Sequence, residues 1–414
     1  MAINAAVIVE MLTTGATTNG GGFKTGASGT DFSQQDAAQY ALTGGTSAGA
    51  GALYLHASAA AVMVGNLCHI SGTNFTTGWY EIVSVVAGVS MTMDRNCTTA
   101  AGALGVCNVG GAISTFQDAF LETLTAGNTV YIKAGTYTVT ETINVAKDGT
   151  GAAYITLVGY NSTRGDNPTG ANRPLIDYGA NTFSFDDYWG WTNLRVTGTS
   201  ATGCRSDAIP IIQNCYFANT SGTANRYAYD TEGAAGALIT NSEFTSTNGY
   251  ACQLVSNYNG VMVVSGCYFH DSVNCVYCNS LGQLVVINCV FDTFTTNGIY
   301  SIEAYYQTIQ NNTFYGGGSA QGTGVNIGGG YYCLLLNNIL KNLTLGMSAT
   351  ALAISNIEDY NDFHGCTTNR TNINTGAHSI TTDPSMTDPA NADFSLSAGS
   401  GALNTAMDAF LNIL

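Results

Sequence analysis

The sequence predicts an all-β protein wound as a parallel β-helix. Three observations carry that expectation. A tetrad of Asn, small or polar, variable, Phe recurs at intervals of 22 to 27 residues. An aliphatic side chain stands two residues ahead of each tetrad. The 414-residue chain also holds 50 Gly and only 9% charged residues, a composition of short strands joined by tight polar turns.

The tetrads are Asn214-Cys215-Tyr216-Phe217, Asn241-Ser242-Glu243-Phe244, Gly266-Cys267-Tyr268-Phe269, Asn288-Cys289-Val290-Phe291, Asn311-Asn312-Thr313-Phe314 and Asn337-Asn338-Ile339-Leu340. Their aliphatic predecessors, Ile212, Ile239, Val264, Val286, Ile309 and Leu335, read as the inward positions of a short strand. A second recurrence follows at Gly249-Tyr250-Ala251-Cys252, Asn274-Cys275-Val276-Tyr277, Gly298-Ile299-Tyr300-Ser301 and Gly324-Val325-Asn326-Ile327. Each unit thus holds at least two strands separated by residues that tolerate left-handed backbone angles. A unit this small buries its apolar face only against its neighbours, so stacked coils share one core. Leucine-rich repeats have a similar period but need a dense leucine frame, which is absent. The slot of Cys215, Ser242, Cys267, Cys289, Asn312 and Asn338 reads as an interior ladder at a turn.

Charge removes several function classes. Eleven Lys and Arg face 27 Asp and Glu, a formal charge of −16, which leaves no basic face for nucleic acid or for an anionic membrane surface. The weakly polar run from Ala52 to Gly65 is too short to span about 30 Å of hydrocarbon. The N-terminus lacks the cationic start of a secretory signal, so synthesis and assembly in a cytoplasm are expected. Of the 12 cysteines, several fall in the interior slot as small buried thiols. Cys275 and Cys278 form a single CxxC without a second pair or nearby histidines, so neither a metal nor a cofactor is expected.

The segment Ala126-Gly127-Asn128-Thr129-Val130-Tyr131-Ile132-Lys133-Ala134-Gly135-Thr136-Tyr137, the tetrads, and Asp383-Pro384 with Ala392-Asp393-Phe394-Ser395-Leu396 together resemble the right-handed parallel β-helix superfamily of pectate lyases and phage tailspikes. The resemblance implies a single-stranded right-handed solenoid, with a capping helix at Phe116 to Leu124, an opening strand at 126–137, and a final coil near the end. The expected domains are an N-terminal β module at 1–111, where turn signals alternate with short β-type runs, the β-helix at 112–405, and a cap or interface segment at 406–414.

Within the solenoid, Asp186, Asp187, Asp207, Asp230 and Glu232 lie about one coil apart, accompanied by Arg205 and Arg226. Residues one coil apart are about 4.8 Å apart along the axis, so these carboxylates form a candidate catalytic column for glycoside hydrolysis or lyase chemistry. The plain alternative is that they cap turns and solvate a face. Tyr188, Trp189 and Trp191 are candidates for stacking on sugar rings, or else pack beneath a coil. Tyr305, Tyr306, Tyr331 and Tyr332 fit either role. The five histidines do not cluster in sequence; beside His270, Asp271 suggests a local hydrogen bond.

Two functions are expected from this reading. The first is a bacteriophage virion structural protein, a β-helical spike or capsid-decorating protrusion that contacts host surface glycans. Phage proteins of this kind are homotrimers, so a homotrimer among other phage structural proteins is implied by the resemblance. The alternative is an enzyme that degrades bacterial surface polysaccharide.

Overall fold

A computed structural model describes residues 3–102, 105–233, 235–256, 260–330, 332–350, 355–403 and 405–406. The chain divides into two units, Met1–Arg195 and Val196–Leu414. Both contain parallel β-solenoid, about ten turns in all, as the sequence predicts.

In the first unit a six-stranded antiparallel sheet runs in the order Tyr40–Gly45, Gly105–Val109, Leu67–Gly72, Gly78–Val86, Ser90–Met93 and Leu53–Leu55. Its core holds Tyr54, Met63, Cys68, Ile70, Tyr80 and Ile82, all fully buried. The segment before it is already part of the stack, because Val7–Met11 pairs in parallel with Thr129–Lys133. Gly22–Lys24 then pairs antiparallel along the outer edge of Val7–Met11. The predicted capping helix contracts to one turn, Asp118–Leu121, which buries Phe120 and Leu121. A buried ionic cluster sits at this end: Arg164 Nε donates to Glu10 Oε2 at 2.8 Å, Tyr160 donates to the same carboxylate, and the guanidinium lies 4.8 Å from the Tyr131 ring centroid.

Each coil of the second unit contributes to three parallel sheets. The first includes Ile211–Gln213, Gly236–Thr240, Val261–Ser265, Gln283–Ile287, Tyr306–Gln310, Tyr332–Leu336 and Ser355–Asp359. The second runs from Tyr216–Asn219 through Tyr268–His270 to Asp362–His364. The third runs from Cys204–Ser206 and Tyr227–Thr231 to Thr368–Thr371.

The tetrad sets the corner between the first two sheets. Its leading residue holds a left-handed backbone, with φ of 51° at Asn214, 48° at Asn241, 56° at Asn288 and Asn311, and 55° at Asn337. At Gly266 a Cβ would lie 2.6 Å from Asn241 Oδ1, which explains the one glycine in the series. The second tetrad residue then points inward and bonds the next coil. Cys289 N donates to Asn312 Oδ1 at 2.9 Å, Asn312 N to Asn338 Oδ1 at 3.0 Å, and Asn338 N to Asn361 Oδ1 at 2.8 Å. The tetrad's last residue stacks: Phe217, Phe244, Phe269, Phe291 and Phe314 follow at centroid separations of 5.4, 5.2, 5.1 and 4.6 Å, with planes within 13° of parallel.

The aliphatic column ends where Leu335 is registered with Glu358. Arg370 closes that end, donating from Nε to Glu358 Oε2 at 2.7 Å and from Nη2 to Oε1 at 3.1 Å. The C-terminal hairpin, Met386–Asp388 with Asp393–Leu396, does not extend the coil. It folds back over the outer face of the second sheet, placing Phe394 against Tyr268 and Tyr315. The segment 406–414, expected to be a cap or interface, lies outside the described residues except for Ala406.

Candidate functional site

The outer face of the third sheet brings together four of the predicted site residues. Arg205 and Asp230 are register partners on adjacent coils, and Asp207 and Glu232 stand two residues further on, each one residue past the end of its strand. Alternation along the strand explains the grouping: Cys204, Ser206 and Tyr229 point into the core, so Arg205 and Asp230 point out. Arg205 Nε lies 3.5 Å from Asp207 Oδ1, and its Nη2 pairs with Glu232.

Asp230 differs from its neighbours. It is only 5% exposed, and among the described residues its Oδ1 has no hydrogen-bond partner. Burial pushes its carboxyl from 3.8 up to about 7 against the lowering influence of Arg205; the nearby Asp207 charge adds to the rise, while a hydrogen bond from Gln253 opposes it. A carboxyl of this kind holds its proton near neutrality. Asp207 and Glu232 are both more than a third exposed and are tied to the guanidinium. Two carboxyls in contrasting surroundings are the usual physical basis of an acid and a base working together.

Beyond Asp230 the same outward column continues through Gln253, Tyr277, Tyr300 and Asn326, one per coil. Tyr227 and Tyr250 flank it, and the four tyrosine rings form a connected row with centroids 5.3, 5.1 and 5.7 Å apart. Sequence reasoning missed this row. Its signal lies in the second recurrence, which contains Tyr250, Tyr277 and Tyr300 but at different positions of the aligned tetrads.

The other predicted residues have different settings. Asp186 and Asp187 belong to the first unit, where Asp187 N donates to Asp148 Oδ1 at 3.2 Å and Asp187 O accepts from Gly149 N at 2.9 Å. Arg226 uses its carbonyl to accept from Tyr250 N at 2.8 Å and from Ser246 Oγ at 2.9 Å. The sugar-stacking expectation for Trp189 and Trp191 is corrected: both are fully buried, packed on Phe185 at 4.7 and 4.8 Å. Their strand, Trp189–Thr192, turns these large rings into the core because there they bury the most apolar area. Tyr188 is half-buried with φ of 61°, and its ring meets Tyr154 edge-on at 5.7 Å.

Two further features are less suited to catalysis. His270 uses both ring nitrogens, at 2.8 Å from Asp271 Oδ2 and 3.1 Å from Glu243 Oε1. Burial opposes its charge, but these carboxylate bonds raise its pKa overall. On the first sheet, a groove of about 580 Å³ is lined by Gln283, Tyr306, Thr308, Tyr332, Leu334 and Ile357 among others, with no carboxylate. Tyr331 lies outside the described residues.

Residues 194–368 match the family model described as a right handed beta helix region. No curated protein matches the sequence. Solved structures similar to this chain include the catalytic domain of a GH87 alpha-1,3-glucanase in complex with tetrasaccharides, at 12% identity over 85% of this chain and 97% of that chain, with a TM-score of 0.30. Another is the catalytic unit of a thermostable GH87 alpha-1,3-glucanase from Streptomyces thermodiastaticus strain HF3-3, at 12% identity, 81% and 84% coverage, and a TM-score of 0.28.

Proposed function

We propose that the chain is a polysaccharide-degrading enzyme acting on bacterial surface glycan, with Asp230 as general acid and Asp207 as general base. The observation that carries this reading is the buried, proton-retaining Asp230 beside the exposed, arginine-bound Asp207. Two residues of strand rise, about 6.6 Å, and one strand spacing, about 4.8 Å, separate their backbone positions by about 8 Å. Carboxyls carried outward from backbone positions at that separation have room between them for a water, which is what an inverting hydrolase needs.

In the reaction, Asp230 gives its proton to the glycosidic oxygen as the anomeric C–O bond breaks. Asp207 takes a proton from the water whose oxygen bonds to that carbon. The products are two shorter glycans, and solvent exchange returns the proton from Asp207 to Asp230. Arg205 positions Asp207 and Glu232 without itself reacting.

The test measures reducing ends released from bacterial surface polysaccharide, with NMR reading the anomeric configuration. Asp230→Asn and Asp207→Asn should each lower kcat by about 10²- to 10⁴-fold, and the product should be inverted. Unchanged release in Asp230→Asn defeats the proposal.

A second reading, the virion spike, is favoured by the outer face of the first sheet. There Leu238, Val261, Tyr306, Tyr332 and Ile357 are 41, 46, 56, 54 and 62% exposed. Such a face suits association between copies of a chain with a formal charge of −16, because no charge must be desolvated there. Sedimentation of a monomer at micromolar concentration would remove this support for the homotrimer.

A further inference from the structure

The tyrosine row differs in kind from the phenylalanine column inside the same coils. The interior rings stack nearly parallel, with interplanar angles of 6 to 13°. Outside, Tyr250 meets Tyr277 at 64° and Tyr277 meets Tyr300 at 67°, so these rings do not close into a continuous stack. Tyr227, Tyr250, Tyr277 and Tyr300 are all half-buried, as are Gln253 and Asn326 in the same columns. Rigid aromatic surfaces interleaved with amides are what a sugar chain needs: ring faces for its C–H surfaces and amides for its hydroxyls.

Charge narrows the class of sugar. Near this row the cations are Arg205, already engaged by Asp207 and Glu232, and Arg226, which immediately precedes Tyr227 and whose carbonyl accepts from Tyr250 N. Glu303 adds a negative charge beside Tyr277. With Asp207, Glu232 and Glu303 set against two arginines the row is net negative, so an acidic glycan would lose its hydration against a like-charged surface. Length follows from the coil. Asp230, Gln253, Tyr277, Tyr300 and Asn326 are successive register partners. Four strand spacings of about 4.8 Å make a track of about 19 Å, and each step is close to the length of one pyranose.

We infer that Gln253, Tyr277, Tyr300 and Asn326 form the binding track for an uncharged polysaccharide laid parallel to the solenoid axis, about one sugar per coil, with its scissile bond at Asp230. The inference rests on the hydrolase reading and adds the substrate class and the direction of the chain.

The experiment uses the full chain carrying Asp230→Asn, so that binding is read without turnover. Calorimetry is run with neutral gluco-oligosaccharides of two to eight residues, with oligogalacturonates and with chitosan oligosaccharides. Neutral chains should bind, with affinity rising to four or five residues and then levelling. Tyr300→Ser, and separately Tyr277→Ala, should weaken binding by tenfold or more, whereas Tyr300→Phe should retain it; circular dichroism confirms that each variant is folded. Tighter binding of the uronates or of chitosan, or unchanged affinity in both tyrosine variants, overturns the inference. If acidic chains bind while the wild-type protein still cleaves through Asp230, only the substrate class fails. Absence of both binding and cleavage overturns the hydrolase reading with it.

Discussion

Replacing Asp230 with Asn should stabilise the protein, and by an amount set by pH. The native carboxyl titrates at about 7, against an ordinary value of 3.8. Because the native value is raised, the cost is absent below pH 3.8, grows between 3.8 and about 7, and is fully present above that. Each pH unit corresponds to about 1.4 kcal/mol, so a carboxylate forced to ionise in place costs the fold up to about 4 kcal/mol at pH 8. Asparagine has the same shape and stays neutral, accepting from Gln253 as the protonated acid does. The gain in urea-unfolding free energy from Asp230→Asn should therefore be close to zero near pH 4 and should rise by as much as about 4 kcal/mol at pH 8. A gain that stays the same, within about 1 kcal/mol, at the two pH values would show that Asp230 is not a desolvated carboxyl. The reasoning that makes it the acid would then fail as well. The same variant loses activity under the proposed mechanism, so stability and function should move in opposite directions at one atom.

Two structural predictions can be checked by the same denaturation assay. Phe269→Ala opens a cavity between Phe244 and Phe291 and should cost about 3–5 kcal/mol; a cost below about 1 kcal/mol would mean that the column is not close-packed. Arg370→Ala leaves the buried Glu358 uncompensated and should cost about 3–5 kcal/mol at neutral pH, whereas Glu358→Gln with Arg370→Met should recover most of that loss.

The solenoid was legible because its rules are local and repeated. Asparagine at a left-handed corner, an inward thiol or amide one residue on, and an inward phenylalanine two residues later give the same signal at Asn288-Cys289-Val290-Phe291 as at Asn311-Asn312-Thr313-Phe314. The second recurrence was harder. Strand pairing sets Asn274 against Asn297 and Tyr277 against Tyr300, one residue away from an alignment that starts at Gly298. A slip of one residue exchanges the faces of a strand, so the outer tyrosines could not be separated from inner residues by spacing alone. Trp189 and Trp191 illustrate the same limit, since alternation places them on one face without saying which face is the core.

Repetition by itself determined that the chain stacks coils, which residues turn the corner, and which rows of side chains fill the interior, because each follows from contacts between one coil and the next. Tertiary structure alone decided that Asp230 is buried while Asp207 stays wet, that a glutamate and an arginine close the last coil, and that the terminal hairpin covers the second sheet. Those outcomes depend on how much water reaches each side chain. Solvent access is set by neighbours far apart in the chain and not by the identity of the residue.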